Sequence, residues 1–222
     1  MRRAGLLAEA AQAALMGPGA KPEVREGYRR LLELHEDLQV VAEAADAESA
    51  LQQWRTMQPR PAVLVIDLAL PGMGGLELIG RLRQRDPEVR CLAFSMYRDA
   101  VWVTQALRAG ALGYVTKSSD PAQLVHAVRE VHAGRRVLGS DIAGEVARHL
   151  IEHPTATPHG LTPREFEVLR LLLAGCSPRQ IAETLCLSVK TVHNIHYQIK
   201  SKLDTPSDFE LARLAWRQGW VD

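Results

Sequence analysis

This 222-residue chain has few residues available for covalent or metal cross-links. Its three cysteines, Cys91, Cys176 and Cys186, are too few and too odd in number for a disulfide framework. They suit a reducing cytoplasm, as small core residues. Cys176 and Cys186 have no His or Cys near them at metal-ligand spacing. Long apolar runs are also missing. No stretch reaches the ~18 residues a membrane helix needs, which excludes a helical membrane protein. The opening "MRRAGLLAEAAQAALMGPGA" imitates a signal peptide with its Arg pair and Ala-rich stretch. Glu9 and Gln12 interrupt the apolar block, so residues 4–16 are expected to form an ordinary Ala-rich helix. There is little net charge. Twenty-seven Lys and Arg against 26 Asp and Glu leave a formal charge of +1, so any basic patch for nucleic acid must be local.

What is present is ordinary for a cytoplasmic globular protein of one or two domains: 46% apolar and 24% charged residues. From residue 24 to 132 strand and helix patterns alternate. "LQVVAEA", "AVLVID", "VRCLAFS" and "LGYVT" read as strands. "VREGYRRLLELH", "AESALQQW", "GLELIGRLRQR", "RDAVWVTQALRAG" and "DPAQLVHAVREVHAG" read as helices. Asp120 is placed as an N-cap, Pro121 at the first helical position, and Gly110 and Gly134 as stops. This alternation predicts a parallel sheet covered on both faces.

After Gly134 the alternation is expected to end. "RRVLGSDIAGEVARHLIEH" offers one helix and "PTATPHG" a linker. Only helices are expected from Leu161 on. Thr162-Pro163-Arg164-Glu165 and Ser177-Pro178-Arg179-Gln180 are capping boxes. Ser188 caps a third helix and Thr205-Pro206 opens a fourth. The expected domains are 1–133 (with 1–20 atypical), a linker with a helix at 134–158, and a helical domain at 159–222.

In an open parallel sheet, chemistry collects at the carboxyl ends of the strands. Asp67 ends one strand, Ser95 the next, and Lys117 follows the last. A carboxylate can attack phosphorus and hold an acyl phosphate. A lysine and a hydroxyl can hold the transferred phosphoryl oxygens.

At these residues the sequence resembles a known family. "VIDLALPGMGGLELI", "AFSMYRD" and "ALRAGALGYVTK" look like the flavodoxin-like receiver domain of response regulators. "LTPREFEVLRLLLAGCSPRQIAETLCLSVKTVHN" looks like the all-α, four-helix LuxR-type helix-turn-helix. In this order the pair resembles the NarL/FixJ family of two-component transcription regulators. The resemblance implies that Asp67 accepts phosphate from a sensor histidine kinase. It also implies that Ser95 and Tyr114 are switch residues, that Lys117 contacts the phosphoryl group, and that Asp67 and the Ala69 carbonyl take part in holding Mg²⁺. It implies a regulator rather than an enzyme.

One departure matters. The family has an acidic pair after its first strand, and here those positions align with Gly19 and Ala20. Neither side chain can ligate a cation. Mg²⁺ takes hard oxygen ligands and gives up water reluctantly, so binding is expected to be weak or absent and phosphorylation impaired. Glu23 is the nearby acid that would have to substitute. "AALMGPG" also reads as a poor first strand. Three explanations compete: a phosphate-independent dimerisation domain, a distorted strand with a weakened site, or an altered reading frame or start over the first ~20 residues.

The helix from Ser188 to about Leu203 divides at 3.6 residues per turn. Val189, Val192, Ile195, Ile199 and Leu203 are expected to face inward, with His196 at the core edge. Lys190, His193, Asn194 and Tyr197 lie opposite, with Lys200 at the edge, and the helix contains no acid. Such a face suits the major groove of double-stranded DNA. Lys190, Thr191 and Lys200 suit phosphates, while His193, Asn194 and Tyr197 suit base edges. Ser177 and Gln180 are placed to present backbone phosphates to a helix N-terminus. A module this small calls for a homodimer on paired half-sites, and Phe209, Leu211, Leu214, Ala215 and Trp216 are expected to cover it and join two copies. The competing readings are a signalling module whose helical tail binds protein, and a phosphatase using Asp67. The absence of a second strand-end acid weighs against the latter.

Overall fold

The computed structural model describes residues 11–16, 22–70, 72–152, 160–218 and 220. Ten elements alternate strictly: β1 (Ala11–Met16), α1 (Pro22–Glu33), β2 (Leu38–Ala44), α2 (Ala47–Thr56), β3 (Val63–Ile66), α3 (Gly75–Arg85), β4 (Cys91–Ser95), α4 (Ala100–Ala109), β5 (Gly113–Thr116) and α5 (Pro121–His132). A short β6 (Val137–Leu138) and α6 (Ser140–Glu152) follow. The chain then forms α7 (Pro163–Leu173), α8 (Pro178–Leu185), α9 (Val189–Lys202) and α10 (Asp208–Arg217). The six strands lie in the order β2-β1-β3-β4-β5-β6, every pair parallel. This is the flavodoxin-like receiver sheet, followed by a helical domain.

The expected helix over residues 4–16 is not what residues 11–16 form. They make the interior strand β1, pairing with β2 on one side and β3 on the other. Position overrides propensity here. The slot between two complete strands satisfies the backbone of any residue that enters it. Small side chains suit a strand squeezed between helices on both faces: Ala13 and Leu15 join the core under α1 and α5, and Ala14 joins the core under α2, α3 and α4. The register slips once, between Ala13 and Ala14. Residues 4–10 and the acid-pair positions Gly19 and Ala20 lie outside the described residues.

The alternation also runs on past Gly134. β6 pairs with β5, with Gly113 opposite Val137, so the segment expected to be only linker and helix begins as a sheet edge. α6 then folds back on α4, burying Ile142 and Val146. Its Asp141 accepts hydrogen bonds from Thr116 at 2.6 Å and Ser119 at 2.9 Å, which pins the helix beside Lys117.

Helix ends follow the sequence signals closely. Asp99 and Asp120 cap α4 and α5, and Gly110 ends α4 at φ +113, a conformation that needs glycine. Both capping boxes close on α7 and α8. The fourth helix of the second domain starts later than expected. Ser207 caps it, whereas Thr205 is buried and its N–H donates to the Lys200 carbonyl at 2.9 Å.

Candidate phosphoacceptor site and nucleic-acid interface

Asp67 directly follows β3, whose four residues are all buried. The strand carries it to the carboxyl edge of the sheet, where it is 3% exposed. Both carboxylate oxygens are engaged: Oδ1 accepts from the Ala69 N–H at 3.0 Å, and Oδ2 meets the Lys117 ammonium directly. Lys117 leaves the end of β5, its backbone N–H donating to the Ser95 carbonyl at 2.8 Å. Ser95 ends β4 with no exposure, and its Oγ accepts from the Tyr97 N–H at 3.3 Å. Thus Lys117 links the other two strand-end residues singled out in the sequence, its ammonium on Asp67 and its N–H on the Ser95 carbonyl. The Lys117–Asp67 pair is nearly dry, so its partners attract more strongly than they would in water, against a large desolvation cost.

Tyr114, in the middle of β5, is fully buried and donates its hydroxyl to the Tyr97 carbonyl at 2.8 Å. Burial pushes its pKa up, with the bond to Ser95 opposing. It therefore stays a neutral donor, tying β5 to the loop that opens α4. Tyr97 in turn stacks on Trp102, centroids 4.1 Å apart and planes 4° apart.

Asp67 and the Ala69 carbonyl would be the chain's own contribution to a cation. Among the described residues, no group of three or more His, Cys, Asp or Glu is placed to hold a metal ion. Glu23 is exposed in the first turn of α1. Mg²⁺ takes oxygen ligands of this kind, and here the Asp67 carboxylate is paired with the Lys117 ammonium.

In the helical domain, α9 lies over α7 and α8. Val192 and Ile199 are fully buried, with Ile195 and Leu203 packed against the same core. Val189, expected inside, is 42% exposed because it sits in the first turn, beyond the reach of α7 and α8. Lys190, His193, Asn194 and Tyr197 face solvent together, Tyr197 at 73% exposure. Thr191 is half-buried, its hydroxyl 2.8 Å from that of Ser188, the N-cap. Ser177 and Gln180 close on each other, the Ser177 N–H donating to Gln180 Oε1 at 2.8 Å. Gln180 is therefore a cap, and its own N–H donates to Ser177 Oγ at 3.3 Å.

The sequence missed an acid on this side. Asp208, first residue of α10, accepts from Lys200 at 2.9 Å and lies 3.0 Å from His196 Nε2. Burial lowers the His196 pKa, with Asp208 opposing, so the ring is neutral near pH 7. α10 buries Leu211 and Ala215 but leaves Phe209 and Trp216 exposed, at 76% and 69%. These two were expected to help cover the module.

Two family models match the chain: "Response regulator receiver domain" over residues 20–129, and "Bacterial regulatory proteins, luxR family" over residues 159–215. The chain is 37% identical over 201 residues to Response regulator GacA of Pseudomonas viridiflava, covering 90% of this chain and 93% of that protein. The chain belongs to the response regulators with a LuxR-type DNA-binding domain.

Solved structures agree. A LuxR-family two-component response regulator from Aurantimonas sp. SI85-9A1 is 45% identical with a TM-score of 0.61, covering 64% of this chain and 99% of that one. RcsB from Salmonella enterica serovar Typhimurium, bound to promoter rprA in the presence of phosphomimetic BeF3-, is 25% identical with a TM-score of 0.60, covering 94% and 99%. The regulator is thus a two-component response regulator with a LuxR-type reader, in a family of transcription regulators rather than enzymes. No described helix is long and apolar enough to cross a membrane.

The two domains also touch, through side chains of α7. Phe166 of α7 is 1% exposed and belongs to the receiver core, its ring 4.9 Å from that of Trp102 and tilted by 74°. Arg170 of α7 pairs with Asp99, the N-cap of α4, and Arg164 donates to the Gly72 carbonyl. The available signal was Phe166 itself, a large apolar residue between two acids at the side of the apolar stripe of α7.

Proposed function

We propose that the regulator binds double-stranded DNA as a homodimer in the cytoplasm, and that the exposed face of α9 reads the sequence. Lys190 contacts phosphate, and His193, Asn194 and Tyr197 meet base edges. The start of α8 at Ser177 and Gln180, with Thr191 and Lys200, fixes the register on the backbone phosphates. The observation that carries this reading is the joint exposure of Lys190, His193, Asn194 and Tyr197 on a helix whose other side is locked in the core. Phe209 and Trp216 give α10 an apolar stripe suited to a second copy, and the RcsB relative is a protein solved on its promoter.

Asp67 is the phosphoacceptor in this reading and a histidine kinase the donor, with Ser95, Tyr114 and Lys117 as switch and phosphoryl contacts. The reaction is slow, because Gly19 and Ala20 provide no carboxylates and Asp67 is already neutralised by Lys117. Regulation then depends little on phosphate. The domain limits we adopt are a receiver at 1–133, a connecting segment at 134–158 and a reader at 159–222.

The test is binding of the full chain to short duplexes by fluorescence anisotropy. Lys190→Ala and Asn194→Ala should weaken binding at least tenfold in combination. Unchanged, sequence-independent binding would instead support a helical tail that engages protein.

A further inference from the structure

The contact between the domains has an acid at its centre. Glu167 projects from α7 onto the start of α3, with its side chain 4% exposed. Oε2 accepts from Arg164 at 2.8 Å, whereas Oε1 is buried without a hydrogen-bond partner. Oε1 occupies the space a Cβ would fill at Gly74, the N-cap of α3, which has no capping side chain of its own. Gly74 adopts φ −68, ψ 161, which any residue tolerates. Glycine is therefore required there by the approach of Glu167 and not by the local backbone. The seat is framed by Phe166 on Trp102 and by Arg170 on Asp99. The four exposed residues of α9 named above stay open while α7 is seated.

We propose that Glu167 is a proton-operated latch between reader and receiver: α7 seats fully on α3 when the Glu167 carboxyl is neutral and loosens when it is charged.

The charged and titratable groups facing this carboxyl are few. Arg164, on the same helix, favours the charged form. Glu77, in the first turn of α3, opposes it and is itself paired with Arg81 at 2.6 Å. The Tyr97 phenol, on the loop before α4, stays neutral because burial raises its pKa. The α3 dipole favours an anion at its start, by a modest amount that falls off within one turn. Burial outweighs these and pushes Glu167 up to about 7. With α7 withdrawn, the residue would lie on an open helix at the ordinary glutamate value of 4.5. Seating therefore takes up a proton. Its full strength is present below pH 4.5 and is lost as pH rises through about 7. Between pH 5.5 and 8 the ratio of seated to unseated chains should fall about twenty-sevenfold. This proposal does not depend on phosphorylation of Asp67 or on the DNA sequence read.

Two measurements on the full chain test it. In the first, side-chain carboxyl carbons of ¹³C-labelled glutamate are titrated by NMR, with Glu167 assigned by its loss in Glu167→Gln. A midpoint near 7 that returns to the ordinary glutamate range in Gly74→Ala supports the latch. An ordinary midpoint in the unmodified chain, or a raised one that Gly74→Ala leaves in place, overturns it. In the second, energy transfer is measured between dyes on Cys186 and on Arg55→Cys, in a Cys176→Ser background at single-molecule dilution. The seated fraction should fall from pH 5.5 to 8, stay high at both in Glu167→Gln, and be low at both in Gly74→Ala. The same pH response in Glu167→Gln would overturn the proposal.

Discussion

Phe166 of the reader lies against Trp102 of the receiver, ring centroids 4.9 Å apart at 74°. Trp102 stacks on Tyr97, whose carbonyl accepts the hydroxyl of Tyr114, so a chain of contacts runs from β5 in the sheet to the reader's first helix. Phe166→Ala should cost about 3 kcal/mol of the contact between domains, the usual scale for emptying an aromatic site. Scanning calorimetry should then show receiver and reader melting as two separate transitions. A single transition at the original temperature would mean that the contact contributes little.

The Lys117–Asp67 pair predicts an asymmetric response. Both side chains are buried, so removing one leaves an uncompensated partner in a dry site. Lys117→Met alone should destabilise the receiver by about 3 kcal/mol in urea unfolding. Adding Asp67→Asn should restore part of that loss, and additive losses would show that the pair is not coupled.

Acidic residues returned to the family's positions should change the chemistry of Asp67. The unmodified chain should show little Mg²⁺-dependent labelling by a small phosphodonor. Gly19→Asp with Ala20→Asp should raise the rate by roughly tenfold or more, since two added carboxylates would help hold a Mg²⁺ that could offset the phosphoryl charge. Rapid labelling of the unmodified chain, lost in Asp67→Ala, would refute the impaired site.

Charge on the α9 face can be read from salt dependence. Lys190→Ala should make the slope of log affinity against log salt shallower by about one unit, the amount expected when one phosphate is no longer neutralised. Asp208→Asn should do the reverse. It frees Lys200 from its 2.9 Å bond and makes non-specific binding tighter and more salt-sensitive. An unchanged slope in Asp208→Asn would place Lys200 off the duplex.

Much of this fold was written in local signals. Asp99, Asp120, Thr162, Ser177 and Ser188 each start a helix where their side chains can accept a backbone N–H, and alternating apolar runs marked β2 to β5. β1 was not legible because what makes it a strand is not local: "AQAALM" has poor strand propensity, and only the open slot between β2 and β3 makes it a strand. β6 was too short to show a period. At the site, Asp67, Ser95 and Lys117 could be grouped because strand ends converge by topology. The partners reached across longer distances, Asp208 to Lys200 and Glu167 to Gly74, could not, since they depend on how helices dock.

The most direct test is selection of duplexes from a random pool by the full-length regulator, followed by footprinting of the enriched sites at several salt concentrations. The account predicts a paired half-site motif, protected in the major groove, whose enrichment is lost in Lys190→Ala with Asn194→Ala. No enriched motif, or one that survives this double substitution, would contradict the assignment of α9 as the DNA reader.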